Sequence, residues 1–207
     1  GGSVMGDTFV GGLVGNNDEG SIATSYSSAS VSGSEDVGGL VGRCSPEQVM
    51  HSVWDTETSA LSGSIGGLGL TTAEMMNPEM LSLNGFAIDP NWVLDAGRDY
   101  PRLAWEGTAG SMIPEPQIDW LDGDGTAENP YRIDTRDQLV LLGRASILWD
   151  RHFILGADID LDPARPGHGI FRQAVLPVFS GVFDGGGHVI SNLTIEGGSH
   201  LGLFGML

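Results

Sequence analysis

Three carboxylates alternate along one short stretch, Asp158, Asp160 and Asp162, with Ala157, Ile159 and Leu161 before and between them. Successive side chains of a strand point to opposite faces, so the acids would share one face and the apolar residues the other. Carboxylates about 7 Å apart on such a face could hold a hard cation such as calcium through oxygen ligands. A second group, Asp122 and Asp124 with Glu128, sits in a glycine-rich turn. Its spacing begins like a calcium loop, yet the sixth position lacks glycine and Ile133 stands where the twelfth-position acid belongs. Asp158, Asp160, Asp162, Asp122 and Asp124 are thus the candidate calcium ligands, with an ordinary solvated strand face as the alternative. Paired carboxylates also serve glycan cleavage as acid and base or nucleophile. The chain has no lysine to stand beside them, and Arg132, Arg136, Arg144 and Arg151 gather around one predicted helix, where surface acids would engage them. No catalytic residue is assigned, and a non-enzymatic chain is expected.

Other chemistries fail on spacing. The five histidines lack the His-x-x-x-His spacing of a helical zinc site, and the run Gly185-Gly186-Gly187 lacks the lysine of a phosphate-binding loop. There is no Gly-x-Ser-x-Gly nucleophile elbow. The single cysteine, Cys44, excludes a disulfide framework or a cysteine zinc site within the chain. Asn192-Leu193-Thr194 matches a glycosylation acceptor by composition alone. Tyr26, Trp54, Trp92, Trp105, Trp120 and Trp149 could line a sugar-binding surface, though end-cap packing is the simpler account. The formal net charge of −18 repels nucleic acid and anionic membranes and favours cations. No apolar run approaches the ~20 residues that cross a bilayer.

The elements that would position these residues follow from a repeat. Val10-Gly11-Gly12-Leu13-Val14-Gly15 returns unchanged as Val37-Gly38-Gly39-Leu40-Val41-Gly42, and more loosely as Ile65-Gly66-Gly67-Leu68-Gly69. The copies start 27 and then 28 residues apart, a period that signals stacked repeats. Between the first two lie the turn Asn16 to Gly20, the short strands Ser21–Tyr26 and Ser28–Ser32, and the turn Gly33 to Asp36. Without hairpin signals between strands, one period reads as a coil of a parallel β-helix, with Val10, Leu13, Ile22, Val31, Val37 and Leu40 inward. Thr71 and Glu74 have capping-box spacing ahead of a helix through Met76, and Pro78 opens a further turn to Leu83 with Met75, Met76, Met80, Leu81 and Leu83 apolar. A second box, Thr135 with Gln138, opens a helix with Leu139, Leu142 and Ile147 apolar. The strands Trp92–Leu94, Tyr100–Trp105, Phe153–Leu155 and Ala157–Asp162 complete the reading.

The hexapeptides, with Gly20-Ser21-Ile22-Ala23-Thr24-Ser25-Tyr26-Ser27 between them, resemble the GLUG-motif repeats of large bacterial surface and secreted proteins. Trp54-Asp55-Thr56-Glu57-Thr58 and Tyr100-Pro101-Arg102-Leu103 are similar to segments that close such arrays. The resemblance implies an all-β fold of right-handed parallel β-helix (β-solenoid) coils with two short capping helices. Repeats would occupy 1–69 and a capping helix with an aromatic closing segment 70–106. A linker would follow at 107–118, and the capping helix and opening coils of a second or continuing solenoid at 119–207. The implied function is a structural module of an extracellular or cell-surface adhesin, stalk or head-to-tail filament. Partners would be neighbouring copies or flanking repeats through the chain ends, glycans or a host cell surface. Nucleic acid and membrane insertion are not expected. The alternatives are a carbohydrate-active β-helix, lyase or hydrolase, and a calcium-dependent glycan-binding module.

Overall fold

Short β-branched runs broken by glycine and asparagine turns give short strands throughout the computed structural model, which describes residues 1–45, 48–198 and 200–207. The chain is mainly strand with a few short helices, and forms two compact units, Gly1–Gln117 and Ile118–Leu207. No helix among the described residues is long and apolar enough to cross a membrane.

The first unit opens with ten strands: β1 (Ser3–Met5), β2 (Thr8–Gly11), β3 (Val14–Asn17), β4 (Ile22–Ala23), β5 (Tyr26–Ser27), β6 (Ser30–Ser32), β7 (Glu35–Gly38), β8 (Val41–Cys44), β9 (Val49–Met50) and β10 (Val53–Asp55). They pair in parallel, β1 with β6, β2 with β7, β3 with β8, β4 with β9 and β5 with β10. Every partner lies 27 residues further on: Val4 faces Val31, Val10 faces Val37, Val14 faces Val41, Ile22 faces Val49 and Tyr26 faces Val53. The period of the hexapeptide is therefore the period of the pairing. Left-handed corners recur with it, Phe9 and Asp36 at φ 55° and 50°, Thr24 and His51 at 45° and 49°. Such corners are costly for non-glycine residues, so their repetition shows that the strand register imposes the bend.

The glycines of the hexapeptide are excluded contacts. A Cβ on Gly11 or Gly38 would overlap the carbonyl oxygen of Val14 or Val41, at matching places one period apart. Val10, Val31 and Leu40 are buried as alternation predicts, while Ile22 and Val37 are half-buried. Leu13 corrects the expectation: it is 47% exposed, against 0% for Leu40. Leu40 shares a cluster with Val41, Val49 and Trp54. The residue facing Trp54 one period earlier is Ser27, which is too small to cover Leu13.

The third hexapeptide copy does not extend the ladder in register. Its Leu68-Gly69-Leu70 forms β11 (Leu68–Leu70) beside β10, with Val53 opposite Leu68 only 15 residues later. At the second hexapeptide the Ser64 hydroxyl takes the ladder's place. It accepts from the Leu40 and Val41 N–H groups (3.3 and 3.0 Å) and donates to the Val41 carbonyl (3.1 Å).

The shortening makes room for helices. α1 (Thr56–Ser59) is capped by Asp55 and was not anticipated. α2 (Thr72–Met75) has the expected Thr71/Glu74 capping box, and α3 (Pro78–Leu83) starts on Pro78 with Asn77 as cap. Met75, Leu81 and Leu83 are buried, and Met76 and Met80 half-buried. With α4 (Arg136–Leu142) in the second unit, the described residues hold four short α-helices rather than two. β12 (Trp92–Leu94) lies antiparallel between β13 (Arg102–Leu103) and β14 (Ser111–Met112). The expected strand Tyr100–Trp105 shrinks to β13, because Pro101 offers no N–H and Ala104–Glu106 wind into a 3-10 turn. Residues 107–118, read as a linker, carry β14 and the buried Ile113.

In the second unit β15 (Tyr131–Ile133), β16 (His152–Leu155) and β18 (Val182–Asp184) form one parallel sheet. β17 (Ile159–Asp160) pairs in parallel with β19 (Ile190–Ser191). The Thr135/Gln138 capping box is present, and Leu139 and Leu142 are buried, with Ile147 half-buried in a 3-10 turn. Phe153 joins the rungs, with its ring centroid 5.6 Å from that of Tyr131 and 6.0 Å from that of Phe179, which lies 5.3 Å from Phe204. The expected strand Ala157–Asp162 is reduced to β17, since Asp162 precedes Pro163 and turns the chain.

Candidate functional site

The acidic stretch has the alternation that its sequence implies, with Ile159 and Leu161 buried and Asp158 exposed. Its carboxylates are occupied by protein donors. Asp158 Oδ1 accepts from the Val189 N–H (3.0 Å) and lies 3.2 Å from His188 Nδ1. Asp160 Oδ1 accepts from Asn192 Nδ2 (2.9 Å) and the Asp162 N–H (3.0 Å), while Oδ2 faces Arg165 Nη2 at 2.5 Å. Asp162 Oδ1 accepts from the Ala164 N–H at 2.9 Å. Val189 and Asn192 flank β19, so Asp158 and Asp160 tie β17's segment to the rung it pairs with. The Val189 N–H and His188 hold Asp158 below the usual carboxylate value, and Asn192 and the Asp162 N–H do the same for Asp160.

The glycine-rich turn is similar. Asp124 Oδ1 accepts from the Thr126 hydroxyl (2.7 Å) and N–H (3.0 Å), contacts that lower its pKa, the hydroxyl foremost. Asp122 contributes its backbone carbonyl, accepting the Arg132 N–H at 2.8 Å. Among the described residues, no group of three or more His, Cys, Asp or Glu side chains is placed to share a metal ion. Arg132, Arg136 and Arg151 each face a neighbouring carboxylate, of Asp134, Asp137 and Asp150.

Asp158→Asn and Asp160→Asn are each expected to lower the Tm of the second unit slightly, equally with calcium and with chelator. Carboxylates whose folded-state pKa is depressed stabilise above their unfolded value and lose that contribution as pH falls below about 4. The Tm of the parent should therefore fall faster with acid than that of the asparagine variants. A Tm raised by calcium in the parent alone would instead identify the acids as ligands.

A polar centre that the sequence did not single out lies in the first unit. Asp55 is completely buried. Its Oδ1 accepts from the Glu57 and Thr58 N–H groups (2.8 and 3.0 Å), capping α1. Its Oδ2 accepts from the Thr72 hydroxyl and the Tyr100 hydroxyl, both at 2.6 Å. One carboxylate thus joins β10, α1, α2 and the Tyr100–Leu103 segment. Burial would raise its pKa, but the hydrogen bonds from Thr72, Tyr100, Thr58 and Glu57 prevail and hold it below the ordinary value. Burial, with the Asp55 hydrogen bond and charge, pushes Tyr100 up to about 12. The Tyr100 ring stacks on Tyr26 at 5.9 Å, and Tyr26 meets Trp92 edge-on at 6.0 Å. Of the other tryptophans, Trp54 and Trp149 are buried in their own units, while Trp105 is largely exposed. The Asp-Thr-Glu-Thr spacing carried a usable sign of this centre, a side-chain cap opening a helix.

No family model matches the chain, and no solved structure matches it. Over 96 residues, 41% of the chain, it is 34% identical to the halomucin of Haloquadratum walsbyi. Over 98 residues, 44% of the chain, it is 34% identical to a protein of Evansella cellulosilytica described as a Gly-rich membrane protein. The matched stretches span 1% and 11% of these relatives' own lengths.

Proposed function

We propose that the chain is a non-catalytic structural repeat module of the GLUG type, a right-handed parallel β-helix belonging to an extracellular or cell-surface protein. The observation that supports this most is the constant 27-residue offset of five successive parallel strand pairs. Closing each period into a coil accounts for left-handed corners that recur at the same offset. Stacked coils make a stiff rod through backbone hydrogen bonds, and a rod displays a long polar face where weak contacts add. The engagement of the acidic side chains by protein donors favours this reading over cleavage chemistry. Both relatives are far longer than the aligned stretch, which fits a module set among others. Neighbouring copies or flanking repeats are its proposed partners.

Negative-stain electron microscopy over a concentration series tests the assembly. Rods that lengthen with concentration are expected, and compact particles at every concentration would remove self-association. Cleavage of any polysaccharide by the purified chain would overturn the non-catalytic reading.

The charge balance adds a prediction. A net charge of −18 repels itself. Raising sodium chloride from about 0.01 M to about 1 M shortens the screening length from about 30 Å to about 3 Å. The Tm should rise by about 5 °C, equivalent to about 1 kcal/mol. Differential scanning calorimetry reads it, and a flat Tm would mean that the acids are too dispersed to repel.

A further inference from the structure

The first unit carries a groove of about 680 Å³ between the start of α3, the turn after β12 and strand β14. Pro78, Leu94 and Met112 give it apolar walls, and Asp95, Arg98 and Ser111 polar ones. Met112 is 65% exposed there. The turn is fixed: Asp95's carbonyl accepts the Arg98 and Asp99 N–H groups (3.0 and 3.2 Å), and the Gly97 N–H reaches the Met76 carbonyl at 3.0 Å.

Acids outnumber arginines threefold in this chain, 27 to nine, and a guanidinium readily finds a carboxylate. Arg102, Arg132, Arg136, Arg151, Arg165 and Arg172 each do so. Arg98 has no carboxylate partner among the described residues, although Asp95 lines the same groove three residues earlier. Among the described residues, the groove therefore presents a guanidinium and a carboxylate without charged partners, and a hydroxyl, around an apolar floor.

We propose that this groove binds a short acidic saccharide, a sugar carrying a carboxylate. Its carboxylate would pair with Arg98 in the two-pronged geometry that guanidinium favours. Its hydroxyls would meet Asp95 and Ser111, and its C–H face would lie on Pro78, Leu94 and Met112. A peptide added as a strand is a poorer occupant, because β14 has only two residues to offer backbone hydrogen bonds. The net charge of −18 works against long polyanions, so the ligand is short. The inference deepens the surface-module reading and rests on it.

Trigalacturonate, its methyl ester and an acidic peptide of similar size would be titrated into the full chain, with amide NMR shifts as the readout. Trigalacturonate should bind with shifts at Asp95, Arg98, Ser111 and Met112, and methyl esterification should weaken it about tenfold, matching a charge-assisted contact. Arg98→Gln, at an exposed position that leaves the fold intact, should weaken it similarly. The proposal fails if no shift appears, if shifts map elsewhere, if Arg98→Gln or esterification changes nothing, or if the peptide binds better. Those failures leave the rods expected by microscopy untouched, whereas polysaccharide cleavage would overturn the module reading and leave the groove's binding result standing.

Discussion

Replacing Asp55 with alanine is expected to destabilise the first unit by about 3–5 kcal/mol, a large loss for one polar side chain. Four donors converge on this carboxylate, the Glu57 and Thr58 N–H groups and the Thr72 and Tyr100 hydroxyls. Hydrogen bonds to a charged group contribute about 1.5–3 kcal/mol each, and donors stranded in a buried site regain little from water. Asp55→Asn keeps one acceptor oxygen but sets an amide N–H₂ against hydroxyl or N–H donors, so an intermediate loss is expected. Urea denaturation followed by tryptophan fluorescence reports it, and a loss below about 1 kcal/mol would mean that water replaces the carboxylate.

The same centre sets limits at both ends of the pH scale. Asp55 has a folded-state pKa below its unfolded one, so its contribution is complete above about pH 4 and disappears as pH falls further. Tyr100 is shifted the other way. Its folded pKa of about 12 exceeds the unfolded value of about 10, so it stabilises fully below pH 10 and loses that contribution as pH rises through 12. Tyr100→Phe should remove this alkaline loss while costing about 1.5–3 kcal/mol at neutral pH, as expected for a hydrogen bond to a charged group.

What the sequence made legible is what short-range chemistry dictates. Thr71 with Glu74, Pro78, and Thr135 with Gln138 mark helix starts through contacts within one turn, and all three helices begin there. The 27-residue repeat is legible because Gly11 and Gly38, and likewise Gly15 and Gly42, meet matching carbonyl oxygens one period apart. Leu13 and the third hexapeptide were misread for a common reason. Their environment depends on what the neighbouring rung supplies, Ser27 rather than Trp54 over Leu13, and α1 rather than a full period before Leu68. Asp55 was hidden because its partners are far away in sequence: Thr72 and Tyr100 lie 17 and 45 residues on. The acids at Asp158 and Asp160 were found by alternation, but the Val189 and Asn192 donors that occupy them lie 31 and 32 residues away.

Gly39→Ala is expected to cost about 2–4 kcal/mol, because overpacking a closed core forces side chains or backbone to move. The three atoms nearest an added Cβ all belong to the indole of Trp54, which is itself 2% exposed and has no space to retreat. Gly63→Ala is the control: nothing lies near its added Cβ, so its effect should stay within about 0.5 kcal/mol. The repeat supplies the second half of the test, since the residue facing Trp54 one period earlier is Ser27. Trp54→Ser should therefore relieve much of the Gly39→Ala penalty, leaving a remainder like that of Gly12, whose Cβ would overlap both the Ser27 hydroxyl and the Gly39 carbonyl. The double-mutant cycle separates the indole from the backbone as the obstacle. Relief by about half places the constraint on Gly39 in the tryptophan that fills the end of the repeat. A strictly additive result would move it to the backbone approach between rungs, making the second glycine of the hexapeptide obligatory at every period, whatever side chain faces it.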